Sequence, residues 1–409
     1  VARGGGIWSH AAALVRHLDR LAPPDLELVV IARDGQPLPD GLRHVRVVHV
    51  PADTSRTTGR MRWIHAELPT LCQRLGVDVL HKLATETPAW LPSRTRLVVT
   101  VHDFMPQFYR ESMRAARAAR AAPVAHAGAA PPAAGPRLGH PLHAAYFDLM
   151  ARRVFARADV VITVSGAVAD EARRRHPRTR ARIVTVHNGV EPFGARDASE
   201  PRDASEPRDA SEAPGDGAVP VARDRAVDLL TVGVFLPHKG QLDVVRAVER
   251  LGARHPEAAA RVRLTLRGHV ADAAYHAAVC AAAAPLGERV RFVDYDAAAS
   301  IPSLYRGADV LVQLPAMEGF GLPLVEAQMA GVPVLCSDLP VLREVLGAGA
   351  RFVPREDPDA TADAIAALVA DAPARDALVR RGRENARRFD WCRAARETAD
   401  VYRAVNGGR

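Results

Sequence analysis

The run EGFGLPLVEAQMAGVPVLCSD, residues 318–338, carries the most information in this chain. Gly319-Phe320-Gly321 is a tight turn whose backbone can approach a ligand closely, because glycine carries no side chain and tolerates positive φ. Leu322 and Pro323 open a helix, where proline suits the first turn. The N-terminus of that helix offers N–H groups and a positive dipole end to an anion such as a diphosphate. Glu318 precedes the turn and Glu326 follows Pro323 by about one helical turn, so both carboxylates can accept hydrogen bonds from sugar hydroxyls. A lone glutamate on a helix is ordinarily a solvated surface group.

Outward from this run the pattern is one of short apolar strands alternating with amphipathic helices. Strands are expected at Asp228–Val232, Arg261–Leu266, Arg289–Val293, Val310–Gln313, Pro333–Cys336 and Ala350–Val353. An earlier series runs Leu26–Ile31, Val45–Val50, Val77–His81, Arg96–Val101, Val160–Val164 and Arg182–His187. Such alternation implies parallel sheets with crossover helices, such as those expected over Ser9–Leu21 and Met61–Leu75. The chain therefore divides into a domain over 1–190, a linker over 191–226, a second domain over 227–388 and a terminal helix over 389–409. Residues 195–212 are a hexapeptide repeat, ARDASEPRDASEPRDASE, with too little apolar surface to build a core. Residues 110–140 are expected to form a variable loop with at most a short helix at its arginine-bearing start. The opening, VARGGGIWSH, has no strand before its glycine loop. A central strand usually precedes such a loop in a doubly wound domain, so the first strand is expected to be missing.

Other segments place reactive side chains at strand ends. In LLTVGVFLPHKGQLDVVRAV, residues 229–248, a strand ends near Gly233 and Lys239 stands at a strand–helix junction, placed to meet a phosphate and stabilise departing charge. In VTVHDFMPQFY, residues 99–109, the strand delivers His102 and Asp103 to the carboxyl edge of the sheet, with Asp103 expected to organise the loop. Ser165, in VITVSGAVADEARRR, reads as a helix N-cap. Gly5 and Gly6 lie in the glycine loop. Asp294-Tyr295-Asp296 is a D-x-D, a spacing that elsewhere holds a divalent metal, but no His/Cys/Asp cluster accompanies it and no metal is expected.

Taken together, these segments resemble glycosyltransferase family 4. The two glutamates eight positions apart around G-F-G-L-P resemble its donor-site signature. Residues 229–248 resemble its V-G-R-x-x-x-x-K-G, with Val234 where many members carry arginine. VHNGVEP, residues 186–192, resembles its N-G-V-D segment, and RRFDWCRAARETADVYRAV, residues 387–405, its closing segment and terminal helix. The resemblance implies the GT-B fold, α/β with two Rossmann-like doubly wound domains facing an interdomain cleft. It implies a retaining hexosyltransferase using a nucleotide-diphosphate sugar, with GDP-mannose the first candidate, and a glycan or lipid-linked acceptor. It assigns reaction roles to His102, Lys239 and Glu318. It assigns donor contacts to Gly5, Gly6, Gly233, Lys239, Tyr295, Gly319, Phe320, Gly321, Leu322 and Glu326, with Glu326 on the ribose. It calls for no cofactor beyond the donor substrate. A catalytically inactive member serving as a binding or assembly subunit is the alternative.

Bulk properties narrow the setting. About half of the 409 residues are apolar (48%), enough for substantial cores. The formal charge is +8, and much of the excess lies between residues 110 and 182, as solvated helix faces or a peripheral membrane contact. No recognition motif or aromatic–basic interleaving supports nucleic-acid binding. The four cysteines are scattered and form no C-x-x-C pair, which fits a reducing cytoplasm, with peripheral attachment at the inner membrane surface as an option.

Overall fold

A computed structural model describes residues 6–51, 57–121, 141–191, 226–294, 304–305 and 307–407. The twelve expected strands are present among them, each within a few residues of its expected bounds: β1 Val29–Arg33, β2 Arg46–Val50, β3 Val79–Lys82, β4 Arg96–Val101, β5 Val160–Thr163, β6 Arg182–Thr185, β7 Val227–Val232, β8 Val262–Arg267, β9 Val290–Val293, β10 Val310–Gln313, β11 Val334–Ser337 and β12 Ala350–Val353. The helices are α1 Gly6–Leu21, α2 Thr57–Arg62, α3 Leu68–Leu75, α4 Met105–Ala121, α5 Pro141–Arg157, α6 Gly166–Arg175, α7 Gln241–Arg254, α8 Pro256–Ala260, α9 Ala273–Ala283, α10 Leu322–Ala330, α11 Pro340–Leu346, α12 Pro358–Ala370, α13 Ala372–Ala386 and α14 Trp391–Asn406. A π-helical turn, Trp63–Glu67, joins α2 to α3.

All described pairings are parallel. The N-terminal part holds a four-stranded sheet in the order β3-β4-β5-β6 and a separate pair, β1-β2. The C-terminal part is one sheet in the order β12-β11-β10-β7-β8-β9. Parallel strands covered by helices on both faces read as continuous apolar runs, and β5 and β10 are buried throughout. The C-terminal order reverses between β7 and β10. The crevice beyond the carboxyl ends of those two strands is the topological switch point, where such folds bind ligands.

Local chemistry sets several element ends. Asp272, Asp357 and Asp371 accept hydrogen bonds from Tyr275, Ala360 and Ala374 as N-caps of α9, α12 and α13. Buried Asp19 on α1 accepts from the amides of Arg43, His44 and Val45 at 2.7–3.1 Å, fixing the chain that leads into β2. Three expectations need correction. Helix α4 runs unbroken to Ala121, so an arginine-rich helix of 17 residues replaces the start of the expected 110–140 loop; 122–140 lie outside the described residues. The expected helix over Met61–Leu75 is interrupted by the π turn. Helix α13 had no counterpart in the pattern, because it buries mainly small side chains, Gly382 and Ala386 beside Leu378.

The two sheets share a core. One buried cluster joins Leu97, Val99 and Val164 of the N-terminal sheet to Phe320, Leu342 and Phe389 of the C-terminal part. The chain returns to its first half at the end: Val190 N donates to Phe389 O at 3.1 Å, and α14 packs on α1 and β3. His81 Nδ1 lies 2.7 Å from the Tyr402 hydroxyl on α14. Gly240, between β7 and α7, has φ +74° and abuts the Leu314 carbonyl so closely that a Cβ would overlap it. Gly240→Ala is expected to destabilise the chain by more than the ~1–2 kcal/mol of the left-handed backbone alone, read as a lowered denaturation midpoint.

Candidate functional site

The loops that follow β7 and β10 meet at the switch point. Lys239 closes a short 3₁₀ turn after β7, and Glu318 lies in the loop after β10. Lys239 Nζ and Glu318 Oε1 are 2.5 Å apart, with side chains 22% and 11% exposed, so most of the pair is out of water. Gly321, at φ +84°, caps α10 and turns the chain into the helix, with Leu322 at its first position and Pro323 in its first turn. The sequence expectation for this turn and helix is met.

Two N-terminal strands clamp the turn. Gly319 sits against the His102 carbonyl at the end of β4, where a Cβ would overlap that oxygen. Ser165 caps α6, accepting from Val168 N at 3.2 Å, and donates its hydroxyl proton to the Gly319 carbonyl at 2.8 Å. It is thus both the expected N-cap and a tie between the domains. The Phe320 side chain is buried in the seam, edge-on to Phe389 at 5.3 Å. Beside it, Glu344 of α11 accepts from Gly166 N at 2.7 Å and Ala167 N at 2.8 Å, and lies 2.9 Å from His187 Nε2. A carboxylate from one domain therefore caps a helix of the other, and these partners hold its pKa below the usual value against the opposing effect of burial.

His102 reaches this site through its carbonyl, while its ring is held among N-terminal groups. Nε2 lies 3.2 Å from the Leu83 carbonyl, and the ring stands edge-on to His10 of α1, centroids 4.7 Å apart. Burial lowers the His102 pKa to about 4, so the ring is neutral near pH 7. Asp103 accepts from Met105 N at 2.9 Å, the loop-organising role expected of it. Burial raises the Asp103 pKa, and the Glu318 charge adds to that rise. The Met105 hydrogen bond and the Lys239 charge act against that rise. Glu326, on α10, is half-buried. The Tyr305 hydroxyl lies 2.8 Å from its Oε2 and 2.9 Å from the Pro323 carbonyl. Burial raises the Glu326 pKa and Tyr305 partly offsets this. Gly233 ends β7 at φ +148° and backs onto Gly268. Gly6 begins α1 and is exposed; Gly5 and Tyr295 lie outside the described residues. Among the described residues there is no group of three His, Cys, Asp or Glu placed to hold a metal.

Sequence reasoning passed over two histidines that the fold brings to the site. His238 is buried, with Nδ1 2.7 Å from the Tyr109 hydroxyl across the domain boundary. His10 is buried, with Nδ1 2.8 Å from Asn188 Oδ1. Each lies in a segment already singled out, but only the tertiary contact distinguishes it from a core residue. Burial lowers both pKa values to about 3. The unfolded chain binds these protons near pH 6.5 and the folded chain does not, so the stabilisation is complete above pH 6.5 and is lost as pH falls from there towards 3. Each is expected to remove about 1.4 kcal/mol per pH unit well below 6.5. Denaturant midpoints at pH 7.5, 5.5 and 4.5 check this, and His238→Gln is expected to flatten the dependence.

Comparison with known proteins gives concordant results. The family model described as "Glycosyltransferase Family 4" matches residues 4–192, and "Glycosyl transferases group 1" matches residues 219–385. The chain is 31% identical over 257 residues to D-inositol 3-phosphate glycosyltransferase 2 of Catenulispora acidiphila, covering 61% of this chain and 57% of that protein. It is 33% identical over 175 residues to phosphatidyl-myo-inositol mannosyltransferase of Mycolicibacterium smegmatis, covering 42% and 43%. The matches thus span about half the length of these relatives. The structure superposes on HepE of Anabaena in complex with UDP-glucose with a TM-score of 0.65 at 16% identity, covering 99% of this chain and 97% of that one. That similarity extends over both domains and the cleft and shows a common fold, the expected GT-B architecture.

Proposed function

The chain belongs to glycosyltransferase family 4, and we propose that it moves a hexose from a nucleotide-diphosphate sugar to a hydroxyl group of a glycan or lipid-linked acceptor, with retention of configuration. The observation that carries this reading is the Lys239–Glu318 pair at the switch point, set beside the N-terminus of α10, with the adjoining Gly319 held against the His102 carbonyl. The helix N-terminus and Lys239 suit a diphosphate. Glu326 suits the vicinal hydroxyls of a ribose, and Glu318 those of a hexose. GDP-mannose is our first candidate donor, in line with the mannosyltransferase among the relatives, and UDP-glucose, bound by HepE, is the second.

In the proposed reaction the bond between the anomeric carbon and the departing phosphate oxygen breaks. The acceptor oxygen forms its bond to that carbon on the same face, and its proton passes to the departing phosphate. Lys239 neutralises the charge released onto the diphosphate. Neutral His102 offers a hydrogen bond without adding charge. Closure of the two domains excludes water and limits donor hydrolysis. No helix among the described residues is long and apolar enough to cross a membrane. Contact with a lipid-linked acceptor is proposed through the basic N-terminal half.

Glu326→Ala is expected to weaken donor binding at least tenfold, through loss of the ribose contact. The test of the reaction itself is an NMR assignment of the anomeric configuration of the product from an α-configured donor. An α-linked product is expected; a β-linked product overturns retention, and a folded chain that never releases nucleoside diphosphate is a binding subunit instead.

A further inference from the structure

One short N-terminal segment holds both loops of the switch point. His102 follows β4, Tyr109 lies in the first turns of α4, and each reaches the C-terminal part. The His102 carbonyl abuts Gly319, next to Glu318. Further along, the Tyr109 hydroxyl lies 2.7 Å from His238 Nδ1, next to Lys239, with the two rings edge-on and their centroids 5.7 Å apart. Tyr109 and His238 are 4% and 2% exposed, so this contact is made out of water. Each member of the Lys239–Glu318 pair therefore has a chain neighbour held from the other domain.

The surroundings set the direction of the hydrogen bond. Burial lowers the His238 pKa to about 3, so the ring is neutral near pH 7. The Tyr109 oxygen faces the backbone N–H of His238 and accepts from it, which leaves its own proton for Nδ1. The neutral ring then carries its proton on Nε2, a buried atom with no hydrogen-bond partner. Among the described residues, Tyr109 is thus the anchor of the ring. The backbone of the turn is held separately. The His238 carbonyl accepts from Ala316 N at 2.8 Å, and Gly240 packs against the Leu314 carbonyl. The residues on either side of Lys239 are thereby tied to the loop after β10, and to the N-terminal part through one hydroxyl.

We propose that Tyr109 and His238 are positioning residues for Lys239: the hydroxyl locks the His238 ring, and through it the turn, with Lys239 aimed at the departing diphosphate. The inference rests on the transferase reading and adds two residues to its machinery. Two contacts to the loop after β10 leave the turn free to rock about the line that joins them, and the ring held by α4 stops that motion. The Tyr109–His238 bond crosses the domain boundary, so it exists only while the two halves are together. Lys239 is then set for charge stabilisation when the N-terminal half is in place and is loosely held otherwise, which ties leaving-group departure to domain closure. A displacement of about 1 Å at a reacting group costs on the order of a hundredfold in rate, so loss of one hydroxyl at the far end of this linkage is measurable in turnover.

Tyr109→Phe removes the hydroxyl and keeps the ring. Release of nucleoside diphosphate from GDP-mannose or UDP-glucose, whichever the unsubstituted chain binds, is followed together with donor affinity and the thermal midpoint of the same samples. Tyr109→Phe is expected to lower kcat at least about tenfold while donor affinity stays within about twofold, a split that a general loss of packing does not produce. His238→Asn, whose side-chain oxygen takes the place of Nδ1, is expected to keep at least about a third of the unsubstituted kcat, whereas His238→Leu falls to the level of Tyr109→Phe. Tyr109→Phe/His238→Leu is expected to be no slower than either single variant, because the two side chains act as one pair. An unchanged kcat in Tyr109→Phe overturns the proposal. So does an equal loss in His238→Asn and His238→Leu, and that comparison decides the matter should Tyr109→Phe fail to fold. Donor binding and turnover by the unsubstituted chain are measured first: a folded chain that binds no donor overturns the transferase reading and this inference with it, whereas normal turnover there and in Tyr109→Phe overturns this inference alone.

Discussion

Gly319→Ala is expected to lower kcat/KM for transfer by at least about a hundredfold in a chain that still folds. An added Cβ at this position would overlap the His102 carbonyl and press on Asp103 Cβ at 3.3 Å. Both neighbours are backbone or stiff short side chains, so neither can swing away. The obstruction lies between the domains and not inside either one, which is why folding survives while the approach of the two halves does not. The Ser165–Gly319 hydrogen bond is weakened with it. Displacing reacting groups by about 1 Å costs on the order of a hundredfold in rate. Steady-state kinetics with the thermal midpoint of the same sample checks the expectation. Near-normal kinetics in Gly319→Ala would show that the clamp is dispensable for turnover.

Lys239→Met is expected to lower kcat by about a hundred- to a thousandfold, the range seen when one preorganised donor to a developing negative charge is removed. The purely structural explanation is that Lys239 serves only to neutralise the largely buried Glu318. The double variant Lys239→Met/Glu318→Gln separates the two. If neutralisation is the whole role, the double variant turns over as fast as Glu318→Gln alone, whose own lost sugar contact sets the baseline. If Lys239 acts on the leaving diphosphate, turnover stays low while the thermal midpoint recovers, because the stranded carboxylate is gone.

The strands were legible because parallel strands covered on both faces are apolar runs of fixed length, and β10, buried along its whole length, is the clearest instance. The turn and helix at 318–330 were legible because glycine and proline each solve a local backbone problem there. Helix α13 was not. Its packing against Gln328 and Gly349 depends on the absence of a side chain at Gly382, which leaves no apolar stripe to read. The extent of α4 was hidden by an Ala- and Arg-rich composition that suits a loop or a helix alike. At the site, Lys239, Glu318 and Glu326 were readable from their spacing to the glycines. His10, Tyr109, His238 and Glu344 acquire their roles only from partners 129–178 residues away, which no local pattern encodes.

The most direct measurement is calorimetric titration of GDP-mannose, UDP-glucose, UDP-N-acetylglucosamine and dTDP-rhamnose into the full chain and into Glu326→Ala. The predicted result is one clear binder whose affinity falls at least tenfold in the variant. A folded chain that binds none of the four, or binds one with an affinity indifferent to Glu326, would contradict a nucleotide-sugar site at the β7–β10 switch point.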